Sequence, residues 1–125
     1  LEDAERRTRH NDVLTLQFCV NYGGRSEIAD AAASLAADVV AGRVRPTKVD
    51  ERTLARYLYN PDLPEVDLFV RSSGEQRTSN FLPWQSAYSE FAFVETRWPD
   101  FTAEMFAAQV RGFGRRERRF GAVVG

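Results

Sequence analysis

Two short runs of mostly apolar residues predict strands of a buried β-sheet. The first is Val13–Val20 (VLTLQFCV) and the second is Val66–Val70 (VDLFV). Both runs are rich in strand-forming side chains and lack a strict alternation of polar and apolar residues, which is typical of strands covered on both faces. Glu90–Val94 predicts a third strand.

Three segments with the apolar spacing of a helix lie between these predicted strands or after the last of them. Between Ser26 and Ala41 apolar residues recur every three or four positions, and Gly42 stands where the helix would end. Asp50 and Thr102 are predicted to cap two further helices, because their side-chain oxygens can accept hydrogen bonds from the first free amides of a helix. The apolar positions of the three helices are Ile28, Ala32, Leu35 and Val39; Leu54, Tyr57 and Leu58; and Phe106, Val110 and Phe113.

Two less regular segments complete the pattern. Leu1–His10 is polar and is predicted to be the tail of a helix. Phe81–Tyr88 predicts a short helix, in which Pro83 is tolerated only near the first turn. The order β-α-α-β-α-β-α predicts an α/β fold, a largely parallel β-sheet flanked by helices, and we expect residues 1–125 to form a single domain.

The composition excludes several classes of protein. The 125 residues are 43% hydrophobic and 28% charged with a net charge of -1, which excludes an intrinsically disordered chain. The longest stretches without a charged residue, Val13–Gly24 and Thr78–Ser89, fall well short of the ~18 residues that span a bilayer. Cys19 and His10 are the single cysteine and histidine. This excludes zinc sites built from several such ligands and favours a reducing, cytoplasmic location.

Arginine dominates the basic residues, since Lys48 is the only lysine among 17. The planar guanidinium suits phosphate and carboxylate groups, although GC-rich codon usage explains the overall excess equally well. The arginines between Arg111 and Arg119 are interpreted as a solvated C-terminal helical face. Nucleic-acid binding is disfavoured by the balanced net charge.

Ligands of open α/β sheets bind beyond the carboxyl ends of the strands, and two glycine-containing loops occupy that position. These loops are Asn21–Arg25 and Arg71–Asn80 (RSSGEQRTSN). In the second loop two guanidinium groups, two hydroxyls and helix amides would converge, which suits a diphosphate. The alternative is a solvated turn whose arginines pair with Glu75 and Glu65, and the spacing alone leaves the two readings even.

Glu90 is a further candidate, because it lies between the apolar residues Tyr88 and Phe91 at the start of the third predicted strand. A carboxylate there could bind Mg²⁺, which takes one or two protein oxygens together with substrate phosphates. On spacing alone, a charge facing water at a sheet edge is the favoured interpretation.

Several motifs together resemble those of the cis-prenyltransferases, which include undecaprenyl and decaprenyl diphosphate synthases and short-chain Z-farnesyl diphosphate synthases. The resemblance runs in order along essentially the whole chain. The residues that carry it are Asn21-Tyr22-Gly23-Gly24-Arg25 with Glu27-Ile28, Asp67 to Phe81, Trp84-Gln85, Ala87-Tyr88, Glu90-Phe91, Trp98-Pro99-Asp100-Phe101 and Arg118-Arg119-Phe120-Gly121.

The resemblance implies an enzyme that condenses isopentenyl diphosphate with an allylic diphosphate and forms a Z double bond. It assigns Arg71, Arg77 and Ser79, with Thr78 in the same loop, to the diphosphate of isopentenyl diphosphate. It also implies a Mg²⁺ cofactor held in part by Glu90, which reverses the interpretation from spacing. The Arg-x-Gly element, Arg119 to Gly121, is implied to reach across a homodimer toward the partner's isopentenyl diphosphate. The Asn21–Arg25 segment is implied to be architectural.

Members of this family are roughly twice as long, and their first half carries an Asp-Gly-Asn-Arg motif with the principal Mg²⁺ ligand. No such motif occurs here, so the chain resembles the C-terminal half and residues 1–125 alone are predicted to be inactive. We assign no catalytic residue within this half. The alternatives are a non-catalytic partner subunit of a heteromeric cis-prenyltransferase and a generic phosphate-binding domain. Contact with a membrane is expected only at its periphery, through the lipid product.

Overall fold

The structure is a computed structural model that describes residues 1–116. It contains four helices and two strands in these residues. They are α1 (Glu2–Thr8), α2 (Gly24–Val40), α3 (Glu51–Ala55), β1 (Leu68–Arg71), β2 (Glu90–Phe93) and α4 (Ala103–Phe113), with short 3₁₀ turns at Pro46–Lys48 and Trp98–Asp100.

The two strands pair in parallel, with Leu68 opposite Glu90 and Arg71 opposite Phe93. Both strands lie where apolar runs predicted them, and the parallel pairing confirms the predicted α/β class. Parallel strands need a crossover connection of a dozen or more residues, and residues 72–89 supply it. This connection therefore starts at the carboxyl end of β1, where a ligand site is expected.

The predicted caps of α3 and α4 are confirmed. The Asp50 carboxylate accepts a hydrogen bond from the Thr53 amide at 2.7 Å, and the Thr102 hydroxyl accepts one from the Met105 amide at 3.2 Å. Helix α3 is shorter than its apolar pattern indicates. It ends at Ala55, so Tyr57 and Leu58 lie in the turn that follows.

A small apolar core combines side chains of α2 and of the two strands with one residue that follows α3. Its buried apolar side chains are Ala31, Leu35, Leu58, Phe69 and Ala92. Phe69 on β1 packs edge-to-face against Phe81, and Phe81 packs in the same way against Tyr22. Aromatic pairs of this kind favour such tilted geometry, and here they link the strand, the crossover connection and the loop that precedes α2.

The prediction of a strand at Val13–Val20 is wrong for the described residues. The segment forms neither a helix nor a strand, and every one of its residues is exposed, including Leu14 and Phe18. A strand needs a neighbour to satisfy its backbone groups, and the sheet of residues 1–116 consists of β1 and β2 alone.

The predicted helix at Phe81–Tyr88 is also wrong, because these residues form bends and turns. The backbone has positive φ at Asn80 (66°) and at Leu82 (48°), which no helix allows. Two helix-type hydrogen bonds remain within the segment: the Ser86 amide donates to the Leu82 carbonyl at 2.9 Å, and the Ala87 amide donates to the Trp84 carbonyl at 3.3 Å.

Candidate diphosphate-binding site

The candidate site is the loop that leaves the carboxyl end of β1, residues 71–80. Two hydrogen bonds tie its first part to the chain after β2: the Ser73 amide donates to the Thr96 carbonyl and the Gly74 amide to the Val94 carbonyl, both at 2.9 Å. Ser73 and Gly74 both have positive φ, 75° and 72°, so the chain reverses here. The positive φ at position 74 favours glycine, and a Cβ there would also require the exposed Glu95 side chain, whose carboxylate oxygen would lie 2.6 Å away, to move.

Arg71 organises the second part of the loop. Its Nη1 donates to the Ser79 Oγ at 2.9 Å and also to the Arg77 carbonyl. Arg71, Thr78 and Ser79 line one cavity of about 510 Å³ together with apolar side chains of β1 and the crossover connection. A guanidinium and two hydroxyls therefore share a concave surface at the end of the strand, which suits a phosphate-bearing ligand.

Arg77 is oriented differently from the sequence-based expectation. Its guanidinium forms an ion pair with the Glu75 carboxylate, and both side chains are substantially exposed. It therefore meets Arg71 through its backbone carbonyl, while its charge is directed to Glu75. This ion pair is one of the contacts that the solvated-turn alternative predicted. Arg71, Thr78 and Ser79 do share a cavity, and the assignment of these residues and Arg77 to a diphosphate stays a prediction.

The end of the loop is fixed to the N-terminus of α2 through Asn80. The Asn80 carbonyl accepts from the Gly24 amide, and its side-chain Oδ1 accepts from the Arg25 amide, both at 2.9 Å. The first amides of a helix have no partner within the helix, so Asn80 satisfies two of them from a distant part of the chain. The expectation that Asn21–Arg25 is architectural agrees with this contact.

Glu27 is a functional candidate that the sequence did not single out beyond its place in a motif. Its side chain is buried on the same face of α2 as Ala31 and Leu35. The carboxylate accepts hydrogen bonds from the Tyr22 hydroxyl, from the Tyr59 amide at 3.1 Å and from Gln85 Nε2 at 3.0 Å. The available signal was a carboxylate at the i and i+4 spacing of a buried helical face.

The Glu27 cluster also changes the chemistry of Tyr22. Burial, and then the hydrogen bond to the Glu27 carboxylate, raise the pKa of the Tyr22 hydroxyl far above its usual range. The hydroxyl therefore stays protonated at neutral and moderately alkaline pH and can act as a hydrogen-bond donor there. This network joins α2 to Gln85, in the turns that directly follow the loop of residues 71–80.

Glu90 does not reach the loop in this arrangement. It pairs with Leu68, whereas the loop leaves from Arg71, so about 10 Å of strand separates the two. Its carboxylate accepts from Arg116 Nη1 at 2.9 Å. In residues 1–116 no three His, Cys, Asp or Glu side chains lie close enough together to hold a metal ion. Glu90 could therefore supply one oxygen ligand to Mg²⁺, but the described residues do not form a complete Mg²⁺ site around it.

Arg119 and Gly121 lie outside the described residues, and their predicted role stays a prediction. Within residues 1–116, no helix has both the length and the apolar character needed to cross a membrane.

Comparison with known proteins identifies the family. Residues 1–121 match the prenyltransferase family described as "Putative undecaprenyl diphosphate synthase". The chain belongs to this family. The resemblance found in the motifs is therefore confirmed for prenyltransferases of the undecaprenyl diphosphate synthase type.

Relatives within this prenyltransferase family are similar over nearly the whole chain. The (2Z,6E)-farnesyl diphosphate-specific trans,polycis-polyprenyl diphosphate synthase of Thermobifida fusca is 64% identical over 97% of this chain and 43% of its own length. The decaprenyl diphosphate synthase of Mycobacterium tuberculosis is 50% identical over 95% of this chain and 40% of its own. The chain thus spans less than half the length of these relatives.

Solved structures of the family have the same fold. Lavandulyl diphosphate synthase from Lavandula x intermedia, in complex with dimethylallyl diphosphate, superimposes with a TM-score of 0.92 at 36% identity, over 97% of this chain and 52% of that protein. A probable undecaprenyl diphosphate synthase from Campylobacter jejuni gives 0.80 at 35% identity, over 97% and 54%. The α/β fold class is shown by these likenesses.

Proposed function

We propose that the full-length protein carrying this chain is a cis-prenyltransferase, which condenses isopentenyl diphosphate with an allylic diphosphate to Z-polyprenyl or Z-farnesyl diphosphate. The observation that carries the proposal is the hydrogen bond from Arg71 Nη1 to Ser79 Oγ. Both residues line the cavity at the carboxyl end of β1. The names of the relatives support it, since they are synthases of prenyl diphosphates.

In this proposal residues 1–125 bind isopentenyl diphosphate. Arg71, Thr78 and Ser79 hold the diphosphate with charge-assisted hydrogen bonds, and Arg77 joins them when it exchanges Glu75 for the ligand. The fixed diphosphate orients the isopentenyl double bond toward the allylic carbon. A carbon–carbon bond then forms between the isopentenyl double bond and the allylic carbon as the C–O bond of that carbon breaks. Diphosphate leaves with the electron pair, and the isopentenyl unit loses a proton. We assign Arg119 and Gly121 to the isopentenyl diphosphate of the other protomer of a homodimer.

Prenyl transfer by the full-length protein tests the function. With radiolabelled isopentenyl diphosphate, Mg²⁺ and geranyl or farnesyl diphosphate as primer, we expect labelled products with Z double bonds. Residues 1–125 alone are expected to give none, because the chain spans less than half the length of its relatives. A full-length protein that transfers prenyl groups only after a second, different subunit is added would favour the partner-subunit alternative instead.

The cofactor and location belong to the same proposal. Mg²⁺, when bound, neutralises diphosphate charge and assists departure of the leaving group, and Glu90 supplies one oxygen ligand. The exposed, unpaired Cys19 is compatible with the cytoplasm, and the lipid product would bring the enzyme to the membrane surface. These assignments extend the family resemblance to this chain.

The Glu90 assignment predicts a changed magnesium requirement. In the full-length protein, Glu90→Gln removes the charge of one ligand, so the Mg²⁺ concentration for half-maximal activity is expected to rise about tenfold, as when support for a metal site is lost. The matched control is Arg116→Ala, which breaks the ion pair and leaves the carboxylate. Arg116→Ala should not raise the requirement. An equal rise in both variants would mean that Glu90 acts through its ion pair alone.

A further inference from the structure

Asn80 lies at the junction between the candidate site and the rest of the fold. It follows Ser79, whose hydroxyl accepts from Arg71 Nη1. Its own carbonyl and side-chain oxygen accept from the Gly24 and Arg25 amides. One residue therefore connects the guanidinium–hydroxyl pair of the site to the first turn of the 17-residue helix α2.

The backbone of this junction suits asparagine. Ser79 and Asn80 both have positive φ, 49° and 66°, a region that asparagine adopts at lower cost than most residues. Two hydrogen bonds to the helix are needed to hold such a conformation in place, because sparsely populated backbone conformations persist only where the surroundings fix them. The direction of the Ser79 side chain follows from that backbone.

The space around the junction is filled. A Cβ at Gly24 would lie 1.9 Å from Cδ of Pro83, and a Cβ at Gly23 would lie 3.1 Å from Asn80 Nδ2. The two glycines therefore let the helix end approach the loop closely enough for both Asn80 bonds. We call this contact between residues 23–24 and residues 80–83 the joint.

We propose that Asn80 is a positioning residue for isopentenyl diphosphate: through its two bonds to the N-terminus of α2 it aims the Ser79 hydroxyl at the diphosphate. This rests on the proposed function for its substrate. Asn80 acts through Ser79, so its effect depends on that hydroxyl. Its Oδ1 accepts from the Arg25 amide of α2.

A double-mutant cycle in the full-length protein tests this role. Asn80→Gly keeps a residue that tolerates positive φ and removes the Oδ1 acceptor. We expect it to raise KM for isopentenyl diphosphate about tenfold, equivalent to 1.4 kcal/mol, and to leave KM for the allylic diphosphate within about twofold. Ser79→Ala should also raise KM for isopentenyl diphosphate. In the Ser79→Ala background, Asn80→Gly should add less than about twofold, since residues that act as a unit are not additive.

The other outcomes overturn the proposal. If Asn80→Gly leaves KM for isopentenyl diphosphate unchanged, the joint does not position the loop. If Asn80→Gly raises KM by a further tenfold in the Ser79→Ala background, Asn80 acts independently of Ser79. The cycle is repeated with Kd for inorganic pyrophosphate as the readout. If the wild-type protein binds pyrophosphate with the expected coupling and transfers no prenyl group, the proposed function fails and the Asn80 role stands. If it binds no pyrophosphate and transfers no prenyl group, both fail.

Discussion

Arg71→Ala in the full-length protein is expected to lower kcat/KM for isopentenyl diphosphate by about 10²- to 10³-fold, the loss that follows removal of one preorganised donor from an active site. Arg71 carries a charge on the wall of the cavity and also fixes the loop through the Ser79 hydroxyl and the Arg77 carbonyl. The substitution removes both contributions, so the effect should exceed that of any other single arginine of the loop.

Steady-state kinetics with each substrate varied in turn measure this effect. Arg77→Ala is the comparison within the loop: it should raise KM for isopentenyl diphosphate and lower turnover by a smaller factor, because its guanidinium is engaged by Glu75. Arg6→Ala is the matched control, since Arg6 lies on the exposed helix α1 and pairs only with Asp3 among the contacts described. If Arg71→Ala stays within about twofold of the wild type, Arg71 has no role in binding.

Glu27→Ala should give the largest loss of stability. The substitution leaves the Tyr22 hydroxyl, the Tyr59 amide and Gln85 Nε2 without their acceptor. A fully buried donor without a partner costs about 1–3 kcal/mol. These three hydrogen bonds are partly buried, so the free energy of unfolding of the full-length protein is expected to fall by about 3 kcal/mol. Equilibrium denaturation in urea measures this change.

Asp30→Ala provides the control for Glu27. Asp30 is an exposed carboxylate on the same helix, and it accepts a hydrogen bond from the Tyr59 hydroxyl. Because surface substitutions usually change stability by at most about 0.5 kcal/mol, the two variants should differ clearly. Equal effects would indicate that solvent replaces Glu27 in its cluster, and that the cluster does not support the loop.

Local pattern was sufficient for much of the fold. Asp50 and Thr102 marked the starts of α3 and α4 because a capping bond spans only three residues. The runs at Val66–Val70 and Glu90–Val94 located both strands because they are rich in strand-forming side chains. Burial on both faces was not needed, since only Phe69 of β1 and Ala92 of β2 are buried. Their parallel pairing was predicted from the alternation of strands and helices along the chain.

The two wrong elements depended on contacts beyond their own sequence. Val13–Val20 has strand composition, and without a neighbouring strand in residues 1–116 it has no ladder to join. The turns at residues 81–88 follow from positive φ at Asn80 and Leu82, which the joint with α2 holds in place. Helical periodicity gave no indication of either condition.

The order of residues alone determined the family of this protein, the position of the candidate site loop after a strand and the presence of arginine and hydroxyl donors in that loop. Only the tertiary structure decided which donors meet. Arg71 donates a hydrogen bond to Ser79, whereas Arg77 forms an ion pair with Glu75. The Glu27 side chain is buried, and its carboxylate accepts hydrogen bonds from three donors. The physical reason is distance along the chain: the Arg25–Asn80 and Glu27–Gln85 bonds join residues 55 and 58 positions apart, and such bonds form only when packing brings the two segments together.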